Sequence, residues 1–153
     1  MSDLRIMQIQ FELDTWKRVL YCLMDENAHL KVRLSEVLKN NNDAVLLEKS
    51  EFCQNCFLLH DDLLSVLRDQ FAKLNKQILK NQLTPAKILN IKERFISLRR
   101  HMMEAECDFS KIRNDYNEFL FNFFFDQHSL KDPSTNNPEK NSNSPGSQVS
   151  ADR

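Results

Sequence analysis

Apolar residues recur along most of this chain at alternating spacings of three and four. From about Asp3 to Lys39 the run is Ile6, Ile9, Leu13, Trp16, Leu20, Leu23, Asn27, Leu30, Leu34 and Val37. Asn27 is its one polar member. A second run, from about Ala44 to Asn81, reads Leu46, Ser50, Cys53, Phe57, His60, Leu64, Leu67, Phe71, Leu74 and Ile78. A third, from about Pro85 to Gln127, reads Ile88, Ile91, Phe95, Leu98, Met102, Ala105, Phe109, Ile112, Tyr116, Phe119 and Phe123. Such heptads place one residue in every three or four on the same helix face, which predicts α-helices with a left-handed supercoil.

The breaks between the runs carry turn chemistry. Asn40-Asn41-Asn42-Asp43 is polar, and Asp43 is suited to cap the next helix. Gln82-Leu83-Thr84-Pro85 follows the second run. Thr84 is an N-cap residue, and Pro85 falls at the first helical position, where a missing N–H costs nothing. Each helix is then roughly 55–65 Å long at 1.5 Å per residue. Apolar residues also flank the seams: Val19, Met24 and Leu38; Phe52, Leu59 and Leu63; Leu89, Ile96 and Leu120. A stripe this wide suits a helix that touches two neighbours. Two short connections make successive helices antiparallel. The expected fold is all-α: an elongated, antiparallel, up-down-up three-helix bundle over residues 1–131. A coiled-coil hairpin completed by a second subunit is the alternative.

Composition marks off the rest. Residues 132–153 hold the only glycine, Gly146, and three of the four prolines, with Val149 as their one large apolar residue. That segment cannot bury enough surface to offset its ordering entropy, so a disordered tail is expected. A body without glycine cannot build a phosphate-cradling loop, a dinucleotide fingerprint or a set of tight hairpins. The formal net charge is −1, from 21 basic and 22 acidic residues. That balance speaks against a nucleic-acid partner held by phosphate neutralisation. No stretch approaches the roughly 18 apolar residues of a membrane span, so no membrane partner is expected. The opening Met1-Ser2-Asp3-Leu4-Arg5 lacks a basic-then-apolar export pattern. Cys22, Cys53, Cys56 and Cys107 are therefore expected as reduced thiols in the cytoplasm.

The passage Glu26-Asn27-Ala28-His29-Leu30-Lys31-Val32-Arg33-Leu34-Ser35-Glu36-Val37-Leu38, with Trp16-Lys17-Arg18 upstream, resembles small all-helical proteins of Bacteroidetes-type bacteria. That group has no assigned activity. The resemblance implies a bacterial origin and a soluble helical chain, and it brings no functional residues.

Candidate chemistry is sparse. Cys53-x-x-Cys56-x-x-x-His60 places three metal-ligand residue types within one narrow helix face. A fourth ligand would come from another helix. Cys22 and Cys107 lie at the right height but at heptad positions c and f, which point outward. The competing reading makes Cys53 and His60 ordinary seam residues. Glu26-x-x-His29 has the spacing of di-iron bundles, but its nearest counterpart, His101-x-x-Glu104, is reversed and over a dozen residues away along the bundle. No serine sits in a glycine-flanked elbow. The run Lys92, Arg94, Arg99 and Arg100 has acids beside it and reads as a solvated face. No enzyme activity and no cofactor are expected.

Interaction signals are stronger. Asn27 occupies an a position, where a polar residue fixes register and seeks another polar group. Glu12–Lys17 and Glu26–Lys31 carry the opposite charges that a parallel homodimer of the first helix would use. Counting levels from the turns instead puts Asn27 near Cys56 and Ser110, which favours a polar layer inside one bundle. At the C-terminal end, Phe119-Leu120-Phe121-Asn122-Phe123-Phe124-Phe125 spans more than one face. Phe121 and Phe125 have no evident cover there, which marks a candidate interface. The function expected is that of a non-enzymatic interaction or scaffold protein. It binds a protein partner or forms a weak homodimer through its heptad and C-terminal aromatic surfaces. A metal or thiol site at Cys53, Cys56 and His60 is the alternative.

Overall fold

A computed structural model of the protein describes residues 3–80 and 82–130. Helix α1 spans Leu4–Asn40, α2 spans Ala44–Leu79 and α3 spans Pro85–Leu130. They pack against one another as an all-α three-helix bundle. The expected tail over residues 132–153 lies outside the described residues.

Each helix starts on a side-chain cap. Asp3 accepts from the Arg5 N–H at 2.9 Å, and Asp43 accepts from the N–H groups of Val45 and Leu46, each at 3.0 Å. Thr84 Oγ1 accepts from the Lys87 N–H at 3.3 Å. These contacts satisfy donors that the first helical turn leaves without intrahelical partners. At the end of α1, the Asn41 side chain donates to the Val37 carbonyl at 3.0 Å. Gln82 has φ of 70°, so the α2–α3 turn uses a left-handed conformation without a glycine.

The seams face one common core. All ten α2 positions in the heptad run are buried, from Leu46 to Ile78. In α1 the run is buried except for Trp16 and Leu30, which are half-buried. In α3 it is buried from Ile91 through Phe109 and again at Tyr116, while Ile88, Ile112, Phe119 and Phe123 are half-buried. Contacts across the bundle follow the levels set by the turns. The Asn27 side chain reaches the Phe57 carbonyl at 3.0 Å, and Ser50 Oγ shares a hydrogen bond of 3.1 Å with the Tyr116 hydroxyl. Gln77 donates to Asn90 at 3.1 Å.

Helices α1 and α3 run parallel. Arg99 pairs with Glu12 (Nε–Oε2 3.0 Å), and Arg113 pairs with Glu26 (Nη1–Oε1 2.6 Å). The two pairs have the same separation in sequence, 87 residues, so one register serves both. Both join a g position of α1 to an e position of α3. These partly exposed pairs each contribute only about 0.5 kcal/mol. They matter more for placing α3 on one side of α1.

The flanking apolar residues do not all find the second neighbour expected of them. Val19, Met24 and Leu38 are half-buried and Leu120 is buried, but Phe52, Leu59, Leu63, Leu89 and Ile96 are exposed. The e and g flanks of a seam are the ones a three-helix bundle covers most readily. Phe52 and Leu59 stand at c positions and Leu89 and Ile96 at b positions, further round the helix. Leu63 is at a g position and is still only partly covered.

Phe57 is fully buried and touches the rings of both Phe109 and Tyr116. Phe57→Ala is therefore expected to cost about 3–5 kcal/mol of unfolding free energy by denaturant titration. Phe52→Ala, five residues away but exposed, is expected to cost about 0.5 kcal/mol or less. Equal losses at the two positions would show that α2 is rotated relative to this description.

Candidate interaction surface

The middle of the bundle holds a polar layer within one chain. Asn27 is fully buried in the α1 seam. Its amide donates to the Phe57 carbonyl and to Asp61 Oδ1, and Asp61 Oδ2 accepts from Lys31. Asp61 is thus a bridge from a buried amide to a partly exposed ammonium. His60 stacks on Phe109, with ring centroids 4.8 Å apart and planes at 18°. The Arg113 guanidinium lies 5.9 Å from the same Phe109 ring while it pairs with Glu26. Asn27 Oδ1 and His60 Nε2 have no protein partner among the described residues.

These contacts reassign the charges considered for a homodimer of α1. Glu12 and Glu26 are held by Arg99 and Arg113 of α3, and Lys31 is held by Asp61 of α2. Asn27 itself lies inside the bundle rather than on an outer face.

The structure does not bring Cys53, Cys56 and His60 together as a ligand set. Cys53 and His60 are buried at seam positions, whereas Cys56 is half-buried on the α3-facing flank of α2. Burial pushes the Cys53 thiol up and away from the thiolate that binds metal or attacks an electrophile. Cys22 and Cys107 are exposed, and all four cysteines are free thiols. Among the described residues, no group of three or more His, Cys, Asp and Glu side chains is placed to hold a metal ion. The Glu-x-x-His pairs are otherwise engaged. Glu26 binds Arg113, His29 Nδ1 lies 2.8 Å from the Asp25 carbonyl, and Glu104 faces Arg100.

The aromatic end of α3 divides in two. Leu120 is buried, and Phe119, Phe123 and Phe124 pack against the core. Phe121 and Phe125 stack on each other at 4.3 Å between centroids, and they stay 60% and 61% exposed.

Two features escaped sequence reasoning. The near-zero net charge conceals a segregation. From Gln70 to Lys92 there are five lysines and no acid. The α2–α3 turn folds that stretch so that Lys73, Lys76, Lys80, Lys87 and Arg94 line one groove of about 580 Å³. The second feature is a stripe of exposed apolar residues along α2. The flanking residues Phe52, Leu59 and Leu63 signalled it, but periodicity did not say how far round α2 its neighbours would reach.

Among the described residues, no helix is long and apolar enough to cross a membrane. No family model matches the chain, and no curated protein or solved structure matches it.

Burial holds the His60 pKa below its ordinary 6.5, against the smaller opposing pull of Asp61 and Asp108. The unfolded chain therefore takes up this proton at a higher pH than the folded one. The stability His60 contributes is complete above about pH 6.5 and falls as the pH drops from there towards the folded-state value. The slope is at most about 1.4 kcal/mol per pH unit. Thermal unfolding between about pH 7.5 and 5.5 is expected to show this loss in the wild type and a flatter profile in His60→Leu. Identical profiles would show that His60 is solvated.

Proposed function

We propose that the protein is a non-enzymatic helical interaction module that presents exposed aromatic and aliphatic side chains to a protein partner or a second copy. The observation that carries this reading is the Phe121–Phe125 pair, stacked with ring planes at 30° and more than half exposed on a helix whose neighbouring phenylalanines are packed. Exposed large apolar side chains gathered in one place are a property of binding surfaces. Covering the exposed part of one such ring gives roughly 1–2 kcal/mol. Two rings mirrored across a two-fold axis would supply roughly 4–8 kcal/mol, against an association cost of about 4–15 kcal/mol. That balance suits a weak homodimer or a site kept for another protein. Four free thiols agree with a cytoplasmic setting.

Sedimentation across a range of concentrations tests the reading with wild type and Phe121→Ser/Phe125→Ser. The variant is expected to lose any self-association of the wild type while melting within a few degrees of it. A variant that no longer folds would place both rings in the core and contradict the reading.

A further inference from the structure

Helix α2 carries two seams, and the bundle uses one. One residue before each member of the buried seam from Leu46 to Leu67 runs a second series at the same spacing: Val45, Phe52, Cys56, Leu59, Leu63 and Val66, with Lys49 the one charged member. Val45, Phe52, Leu59 and Val66 recur every seven residues and are 63%, 62%, 69% and 52% exposed. Leu63 is 41% exposed and Cys56 half-buried. The stripe is about 32 Å long, or three heptads. An apolar series that keeps the 3–4 alternation over three heptads is the pattern by which one helix receives another.

Its rim is acidic. Glu48 stands one turn from Val45 and from Phe52, and Asp62 one turn from Leu59 and from Val66. On α3, Asp108 and Asp115 stand at g positions, opposite the e flank that pairs with α1, which puts both on the α2 side. All four are exposed, and none forms an ion pair among the described residues. From Ala44 to Val66, α2 has four acids against one lysine, and that Lys49 lies over the rings of Phe52 and Phe119.

The geometry points to a docking face on α2 for an amphipathic helix of about 20 residues with a 3–4 apolar seam and lysine or arginine along its flanks. This rests on the reading of the protein as an interaction module and names the partner chemistry of a second surface. A second copy fits poorly, because two such faces would set like charges against each other. Residues 131–153 do not supply the helix either, since Val149 is their one large apolar residue.

The probe is a synthetic peptide of three heptads with a leucine seam and lysine flanks. Its control has the same seam with glutamate flanks. By isothermal titration, the full-length protein is expected to bind one lysine-flanked peptide, at least about tenfold tighter than the control, and more weakly as salt rises. Leu59→Ser/Leu63→Ser is expected to abolish binding, and Glu48→Lys/Asp62→Lys to reverse the preference between peptides. Phe121→Ser/Phe125→Ser is expected to bind as the wild type does, which keeps this surface distinct from the C-terminal rings. The assignment is overturned if the two peptides bind alike, or if Leu59→Ser/Leu63→Ser binds unchanged. It is also overturned if the Phe variant alone loses binding, or if the wild type forms a dimer that Leu59→Ser/Leu63→Ser dissolves.

Discussion

Three helices around one axis leave each helix two neighbours, and the short turns decide where those neighbours lie. Three residues, Asn41–Asp43, separate α1 from α2, too few for the chain to shift by a heptad without breaking the caps. The seams of α1 and α2 are thereby held at fixed levels, and the second turn does the same for α3. Asn27 with Phe57 and Ser50 with Tyr116 follow from those levels. Two neighbours do not cover every apolar residue these helices carry. The remainder is displayed, and on α2 the remainder is itself a seam.

The polar layer is the least economical part of the core. An apolar residue at Asn27 would pack without a demand for partners, whereas the amide draws Asp61 inward and Asp61 in turn holds Lys31. Asp61 sits beside His60, whose charged form is disfavoured by burial where the ring stacks on Phe109. Polar groups in an otherwise apolar seam favour one arrangement of helices over others, at some cost in stability. Here the layer joins α1 to α2, while the Glu26–Arg113 pair beside it joins α1 to α3. All three helices are therefore tied at one level.

Much of this was legible in the residues alone. The 3–4 alternation identified the buried face of α2 residue by residue, because that series runs the whole length of the helix, from Leu46 to Ile78. Asp43, Thr84 and Pro85 announced the helix starts through the chemistry of caps. The side of the hairpin on which α3 docks was not legible. A bundle turning left and one turning right bury the same a and d positions, and differ only in which flanks are covered. The g-to-e pairs Glu12–Arg99 and Glu26–Arg113 encode that choice, but they are 87 residues apart and invisible to local periodicity. Phe52, Leu59 and Leu63 read as covered flanks and are exposed for another reason: Phe52 and Leu59 stand at c positions, further round α2 than its two neighbours reach, and Leu63 is only partly covered. Cys53, Cys56 and His60 share a narrow arc on paper, yet the seam passes through the first and last and leaves the middle one on a flank.

The four cysteines report directly on how each helix is rotated. Cys22 and Cys107 are exposed, Cys56 is half-buried and Cys53 is buried in the seam. Alkylation of the native full-length protein, followed site by site by mass spectrometry, measures that order. The account predicts rapid modification of Cys22 and Cys107, slower modification of Cys56, and modification of Cys53 only at the rate of global unfolding. Cys53 reacting as fast as Cys22 in the folded protein would contradict it, because the face of α2 assigned to the core would then be the face in water.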